Sequence, residues 1–126
     1  MELKRVAFEP MNEIHDKEGE ILQKLLNAIK NRENLEEIFD EFVKDVENHF
    51  EFEQNLMEKY DFFAKIPHKM EHDRILNELY QLKNHLDNYE MLERYFNDHF
   101  LPWLENHIAT MDTVTAGFFN MVGAKP

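Results

Sequence analysis

Seven side chains able to donate a lone pair recur at helical intervals along this chain: His15, then His49-x3-Glu53, His68-x3-His72 and His107-x4-Asp112. An α-helix turns about 100° per residue, so partners four apart sit about 40° around the axis and roughly 6 Å along it. His49 with Glu53, and His68 with His72, therefore project from one helix face toward a shared point. A single pair of this kind is weak evidence, because such pairs arise by chance. Five imidazoles and two carboxylates in this order are enough to hold two metal ions side by side. Neutral imidazole suits iron, copper and zinc about equally, so the donors alone do not choose the metal. The last pair is awkward, since residues five apart lie about 140° around an ideal helix. Asp112 reaches the same point only if the helix loosens or ends there, and Thr110, Thr113, Thr115 and Gly117 are compatible with an end.

Four amphipathic patterns carry these residues. They run over about residues 11–29, entered through Pro10, then 35–62, then from Pro67 to a turn near Asp87-Asn88, then 89–110. The second has the inward series Phe42, Val46, His49, Glu53, Leu56, Tyr60; the third reads His68, His72, Ile75, Leu79, Leu82, Leu86; the fourth carries Phe96, Phe100, Trp103 and His107. Spacings of three and four mark the seam of a bundle helix. The metal-ligand candidates continue these apolar series instead of lying beside them. Buried carboxylates and imidazoles are costly unless paired, hydrogen-bonded or bound to metal. One satisfied core histidine is ordinary, but seven polar positions on one level need a purpose. Four such helices with short connections predict an all-α, up-down-up-down four-helix bundle with the metal site in its core.

Composition sets limits. The 126 residues suit one domain spanning 1–126. A hydrophobic content of 43% with 11 Phe supports a packed core, and only 3 Gly and 4 Pro argue against a turn-rich β fold. With no Cys, thiolate metal sites, disulfides and cysteine nucleophiles are excluded. A net charge of −12 argues against nucleic acid and anionic membranes as partners. No apolar run approaches the roughly 20 residues of a membrane span, and the start lacks a signal-peptide core, so a cytoplasmic location is expected.

From residue 11 to Asp112 the chain resembles a single-domain bacterial or archaeal hemerythrin, with all seven ligand positions filled in order. Trp103-Leu104 followed by His107-Ile108 is similar to that family's W-L-x-x-H-I stretch. The resemblance implies two iron ions with an oxo or hydroxo bridge. His68, His72 and His107 would hold one iron, His15 and His49 the other, with Glu53 and Asp112 bridging. It further implies reversible O2 binding, as a hydroperoxide, at the iron held by His15 and His49. Phe50, Trp103, Leu104 and Ile108 would form the apolar wall of the oxygen pocket. Ferritin-like di-iron bundles use Glu-x-x-His pairs, and none occurs here. Storage, delivery or scavenging of O2, or of another small diatomic, is the leading expectation. The alternatives are a di-iron oxidoreductase (peroxide or nitric oxide reduction, or iron oxidation) and a sensor acting through a separate partner.

The first helix departs from the family pattern. Glu18 and Gly19 lie about 60° and 40° around the axis from His15, on the inward face, where a large hydrophobe is usual. In one reading Glu18 reaches the His15/His49 iron, as a ligand, as an acceptor behind a ligand or as a proton relay, with Gly19 leaving space beside it. In the other, toward which the sequence tips, the helix rotates slightly and Glu18 snorkels to solvent. The long stretch between His72 and His107 extends the third and fourth helices beyond the metal layer. Pro102 must kink the fourth helix or mark a restart, having no N–H to give Asp98. His85 falls on the surface, and His99 is placed partly buried beside the seam.

Overall fold

The computed structural model describes all of residues 1–126. Helix α1 spans Glu9–Asn31, α2 Leu35–Lys59 and α3 Lys65–Leu82, the last running into a 3-10 turn at Lys83–His85. The fourth rod is continuous but not uniform: α4 (Tyr89–Tyr95), a π-helical segment (Phe96–Phe100), α5 (Leu101–His107), a second π-helical segment (Ile108–Asp112) and α6 (Thr113–Met121). There are no strands. Consecutive rods run antiparallel, as their cross-links show. Between α1 and α2, Lys17 pairs with Asp45 and Lys24 with Glu41. Between α2 and α3, Asp40 pairs with Lys83 and Glu47 with Tyr80. Between α3 and the fourth rod, Glu71 meets Trp103 and Glu78 meets Tyr95. The arrangement fits a four-helix bundle.

Local chemistry sets the ends. Pro10 sits in the first turn of α1, where its missing N–H has no helical partner to lose. Helix α2 stops at Lys59, short of residue 62, because Asp61 adopts a left-handed conformation at φ 50°. The Asp61 and Phe62 amides then turn back to the Glu58 and Met57 carbonyls at 3.2 and 2.8 Å, a Schellman closure without glycine. Asn88 caps α4 by accepting the Met91 N–H at 3.2 Å.

Pro102 lies in the first turn of α5, directly after the first π-helical segment. The turn before it widens, so that the Leu101 N–H reaches back five residues to the Phe96 carbonyl. Such a π turn is the known way to accommodate an interruption inside a helix.

The interior divides into two apolar clusters with a polar layer between. The larger contains Leu22, Leu25, Phe39, Phe42, Phe96 and Phe100 among its members, with Phe42 edge-on to Phe96 and Phe100 at centroid distances of 5.8 and 5.3 Å. The smaller, around Phe8, Met11, Leu56, Met57, Phe62 and Phe119, closes the other end. The third and fourth rods extend beyond the polar layer, as expected, and supply Ile75, Leu79, Leu92 and Phe96 to the larger cluster. Tyr60, Leu86 and Trp103 are half-buried, and on α1 Leu22 and Leu25 are fully buried. His85 is exposed. So is His99, which bonds Glu78 at 2.9 Å on the surface instead of lying beside the seam.

Candidate metal centre

The polar layer is built from all four rods: His15 on α1, His49 and Glu53 on α2, His68 and His72 on α3, and His107 at the end of α5 with Asp112 at the end of the second π segment. All seven are buried, none more than 3% exposed. Their donor atoms form two overlapping groups, Glu53-His68-His72-His107-Asp112 and His15-His49-Glu53-Asp112, with the atoms of each lying within 4.8 Å of one another.

Each carboxylate presents one oxygen to each group. Glu53 Oε1 lies 3.3 and 3.4 Å from the Nε2 atoms of His68 and His72. Its Oε2 lies 2.6 and 3.6 Å from those of His49 and His15. Asp112 Oδ1 lies 3.2 Å from Nε2 of both His68 and His107, while Oδ2 lies 3.2 Å from His15 Nε2. Among these atoms only His49 Nε2 and Glu53 Oε2 are hydrogen-bonded to each other. The Nε2 atoms of His15, His68, His72 and His107, with Glu53 Oε1 and both Asp112 oxygens, are buried with no hydrogen-bond partner. Orphaned atoms of this kind, converging from four helices, are the signature of a cation site.

Asp112 reaches the layer because the helix loosens and does not end. The Thr113 N–H bonds the Ile108 carbonyl five residues back, a widened turn that brings Asp112 round toward the side of His107. Gly117 lies within α6 and ends nothing.

The outward nitrogens of two histidines fix which nitrogen faces inward. The Thr115 hydroxyl donates to the Met111 carbonyl at 2.9 Å, so it accepts from His68 Nδ1, at 2.8 Å. Gln54 Oε1 accepts from His72 Nδ1 at 3.0 Å. In both rings Nδ1 donates outward, so Nε2 is the nitrogen left to face a metal. Neither Gln54 nor Thr115 was expected as part of the site.

Glu18 is fully buried, and its Oε1 lies 2.7 Å from His49 Nδ1. It therefore does not snorkel to solvent. Nor is it in either ligand group; it takes the place of an acceptor behind a ligand. Gly19 serves a different neighbour from the one expected. A Cβ there would come into ordinary contact with Leu3 Cδ1 at 3.4 Å and Met1 Sδ at 3.7 Å, so Gly19 faces the N-terminal segment crossing α1 and not the space beside Glu18.

Of the four residues expected to wall an oxygen pocket, Phe50 and Trp103 stack on histidines of the layer. Phe50 stacks flat on His72, 3.8 Å between centroids and 1° between planes, and stands 5.0 Å from His49. Trp103 stacks on His107 at 4.6 Å and is pinned by its indole N–H to Glu71 at 2.7 Å. Leu104 and Ile108 are fully buried in the larger cluster. From outside, a groove of about 400 Å³ between Pro67, Met111 and Val114 leads down to His68.

The electrostatics describe a centre in want of positive charge. Burial opposes protonation of His15 and His68, yet Asp112 and Glu53 outweigh it and hold both up at about 9. Burial likewise opposes charge on His49, but Glu18 and Glu53 raise it well above the ordinary range. His72, dominated by burial, is pushed down to about 4. Burial would raise Glu53 and Asp112, and the surrounding imidazoles instead hold both carboxyls low. Without a metal, protons do the neutralising.

Comparison with known proteins agrees with this geometry. Residues 6–118 match the family model described as the hemerythrin HHE cation binding domain. The chain is 34% identical over 111 residues to a bacteriohemerythrin of Aquifex aeolicus (strain VF5), covering 84% of this chain and 85% of that protein. No solved structure matches. With a family match over most of its length, and a buried layer of histidines and carboxylates suited to a cation, the chain belongs to the hemerythrin family.

Proposed function

We propose that residues 1–126 form a single domain that binds O2 at a non-haem di-iron centre, serving storage, delivery or scavenging of O2 in the cytoplasm. In this reading His68, His72 and His107 would hold one iron and His15 and His49 the other, with Glu53 and Asp112 shared between them. The observation that carries it is the split of each carboxylate, one oxygen toward the three-histidine group and one toward the two-histidine group. Two irons held by these groups would receive unequal numbers of protein donors, three histidines against two, and the second would have room for a small molecule. Two ferrous ions supply the electrons that O2 takes up on binding. The protein's part is positional: Thr115 and Gln54 orient the imidazoles, and the buried Phe50, Leu104 and Ile108 with Trp103 keep water from the centre.

A second reading, a di-iron oxidoreductase acting on peroxide, nitric oxide or iron, is favoured by one observation: the buried Glu18 carboxylate on His49. The two separate in a single experiment. Iron-loaded, reduced protein is exposed to O2 and then degassed while its visible spectrum is followed. A band that forms and reverses supports the O2 binder; immediate irreversible oxidation with consumption of added peroxide supports the enzyme. Fewer than two irons per chain would remove both.

A further inference from the structure

The imidazoles of the centre are backed unequally. His68 and His72 donate their outward N–H to neutral oxygens, the Thr115 hydroxyl and the Gln54 amide. His49 donates to a carboxylate, Glu18 Oε1, at 2.7 Å, the shortest of the three contacts. Glu18 is 0% exposed, so little solvent screens its charge. Its second oxygen has no hydrogen-bond partner, so the whole of its hydrogen bonding in the protein is directed at His49. The setting beyond it is anionic as well. Asp45, one turn before His49 on α2, is 7% exposed, has one oxygen without a partner, and meets only Lys17 Nζ at 3.6 Å.

Resting on the di-iron reading above, we propose that Glu18 is a positioning residue that acts through His49 to stabilise the more oxidised state of the two-histidine metal. An imidazole donating its outward N–H to a buried carboxylate gains electron density on the other nitrogen. It becomes a stronger donor, and a stronger donor favours the higher charge on the metal. The three-histidine metal has no such partner. The two sides thus differ in electron richness although both are ligated by histidine and the same two carboxylates. The consequence concerns the regulation of the site's chemistry: the side with an open position is also the side biased toward losing an electron. That suits consumption of an oxidant better than its return unchanged.

The test is a redox titration of the iron-loaded wild type, Glu18→Gln and Glu18→Leu, with iron counted in each sample. Gln retains size and an acceptor oxygen but removes the charge. It is expected to keep two irons and to raise one of the two midpoint potentials while leaving the other in place. A tenfold change in the preference for the oxidised state corresponds to about 59 mV for one electron. Leu removes the acceptor as well, so it raises the same potential and retains iron roughly 10–100-fold less tightly. Two irons and unmoved potentials in Glu18→Gln overturn the proposal while leaving the di-iron reading intact. Iron loss in Glu18→Leu with an unmoved potential in the retained centres also overturns it, since that is what a merely structural role produces. Fewer than two irons in the wild type overturns the di-iron reading and this proposal together.

Discussion

The two sides of the centre use the same donor atoms and differ in what stands behind them. On the three-histidine side, His68 and His72 rest on neutral acceptors, and His72 and His107 are each covered by a flat aromatic ring. On the two-histidine side, His49 rests on a buried carboxylate, and the outward nitrogen of His15 has no partner. The first side is built to hold a metal still. In the reading proposed above, the second would be the electron-rich side and the place where a small molecule binds. Inner ligands alone would not reveal this division, because Glu53 and Asp112 belong to both sides.

The largest expected effect comes from removing what the sides share. Glu53→Ala takes one oxygen from each group, so both irons should be lost together, beyond the roughly 10–100-fold weakening typical of an outer partner. Metal analysis after dialysis reads the outcome; a variant that keeps one full iron would show that the sides are independent sites.

Protons stand in for the metal in the metal-free chain, and this gives a pH dependence. His15 and His68 are held near 9 in the folded chain against an ordinary value of 6.5. Their contribution to stability is complete below about 6.5 and is lost as pH rises through about 9. The melting temperature of metal-free protein should therefore fall across that window, while the loaded protein shows no such slope because the metal replaces those protons. Thermal melts of both forms at a series of pH values check this. A metal-free protein equally stable at both ends would contradict the electrostatic account.

A smaller change should erase the asymmetry. Gln54→Glu gives His72 a charged acceptor in place of the amide and should lower the potential of the three-histidine metal, drawing the two midpoints together. The same redox titration applied to Glu18 measures it, and widened midpoints would reverse the assignment of sides. The smallest effect belongs to Gly19→Ala. The added methyl meets Leu3 at 3.4 Å, while helix propensity favours alanine by about 1 kcal/mol. A shift of no more than a few degrees in melting temperature, with both potentials unmoved, would confirm that Gly19 serves the N-terminal segment and not the centre.

The seam series made the bundle and the convergence of seven polar residues legible in the sequence, because helical spacing fixes which residues share a face. What escaped was set by departures from ideal helix geometry or by partners on other helices. The i, i+5 relation of His107 and Asp112 pointed to loosening or ending, but spacing cannot choose between them; the Thr113-to-Ile108 bond does. The stop at Lys59 was missed because Asp61 does what glycine more often does. Glu18 was visible on the inward face, yet its fate depended on meeting His49 across the α1–α2 interface at 2.7 Å. Gln54 and Thr115 carried no spacing signal of their own. Each lies beside or one turn from a ligand, and only packing shows that they face an imidazole.

The most direct test is diffraction from crystals of the iron-loaded protein, with anomalous scattering recorded at the iron edge. The account predicts two peaks inside the bundle, one among the Nε2 atoms of His68, His72 and His107 and one against those of His15 and His49. Both would touch Glu53 and Asp112, and Glu18 would remain on His49 Nδ1. A single peak, a peak outside this layer, or Glu18 bound directly to metal would contradict it.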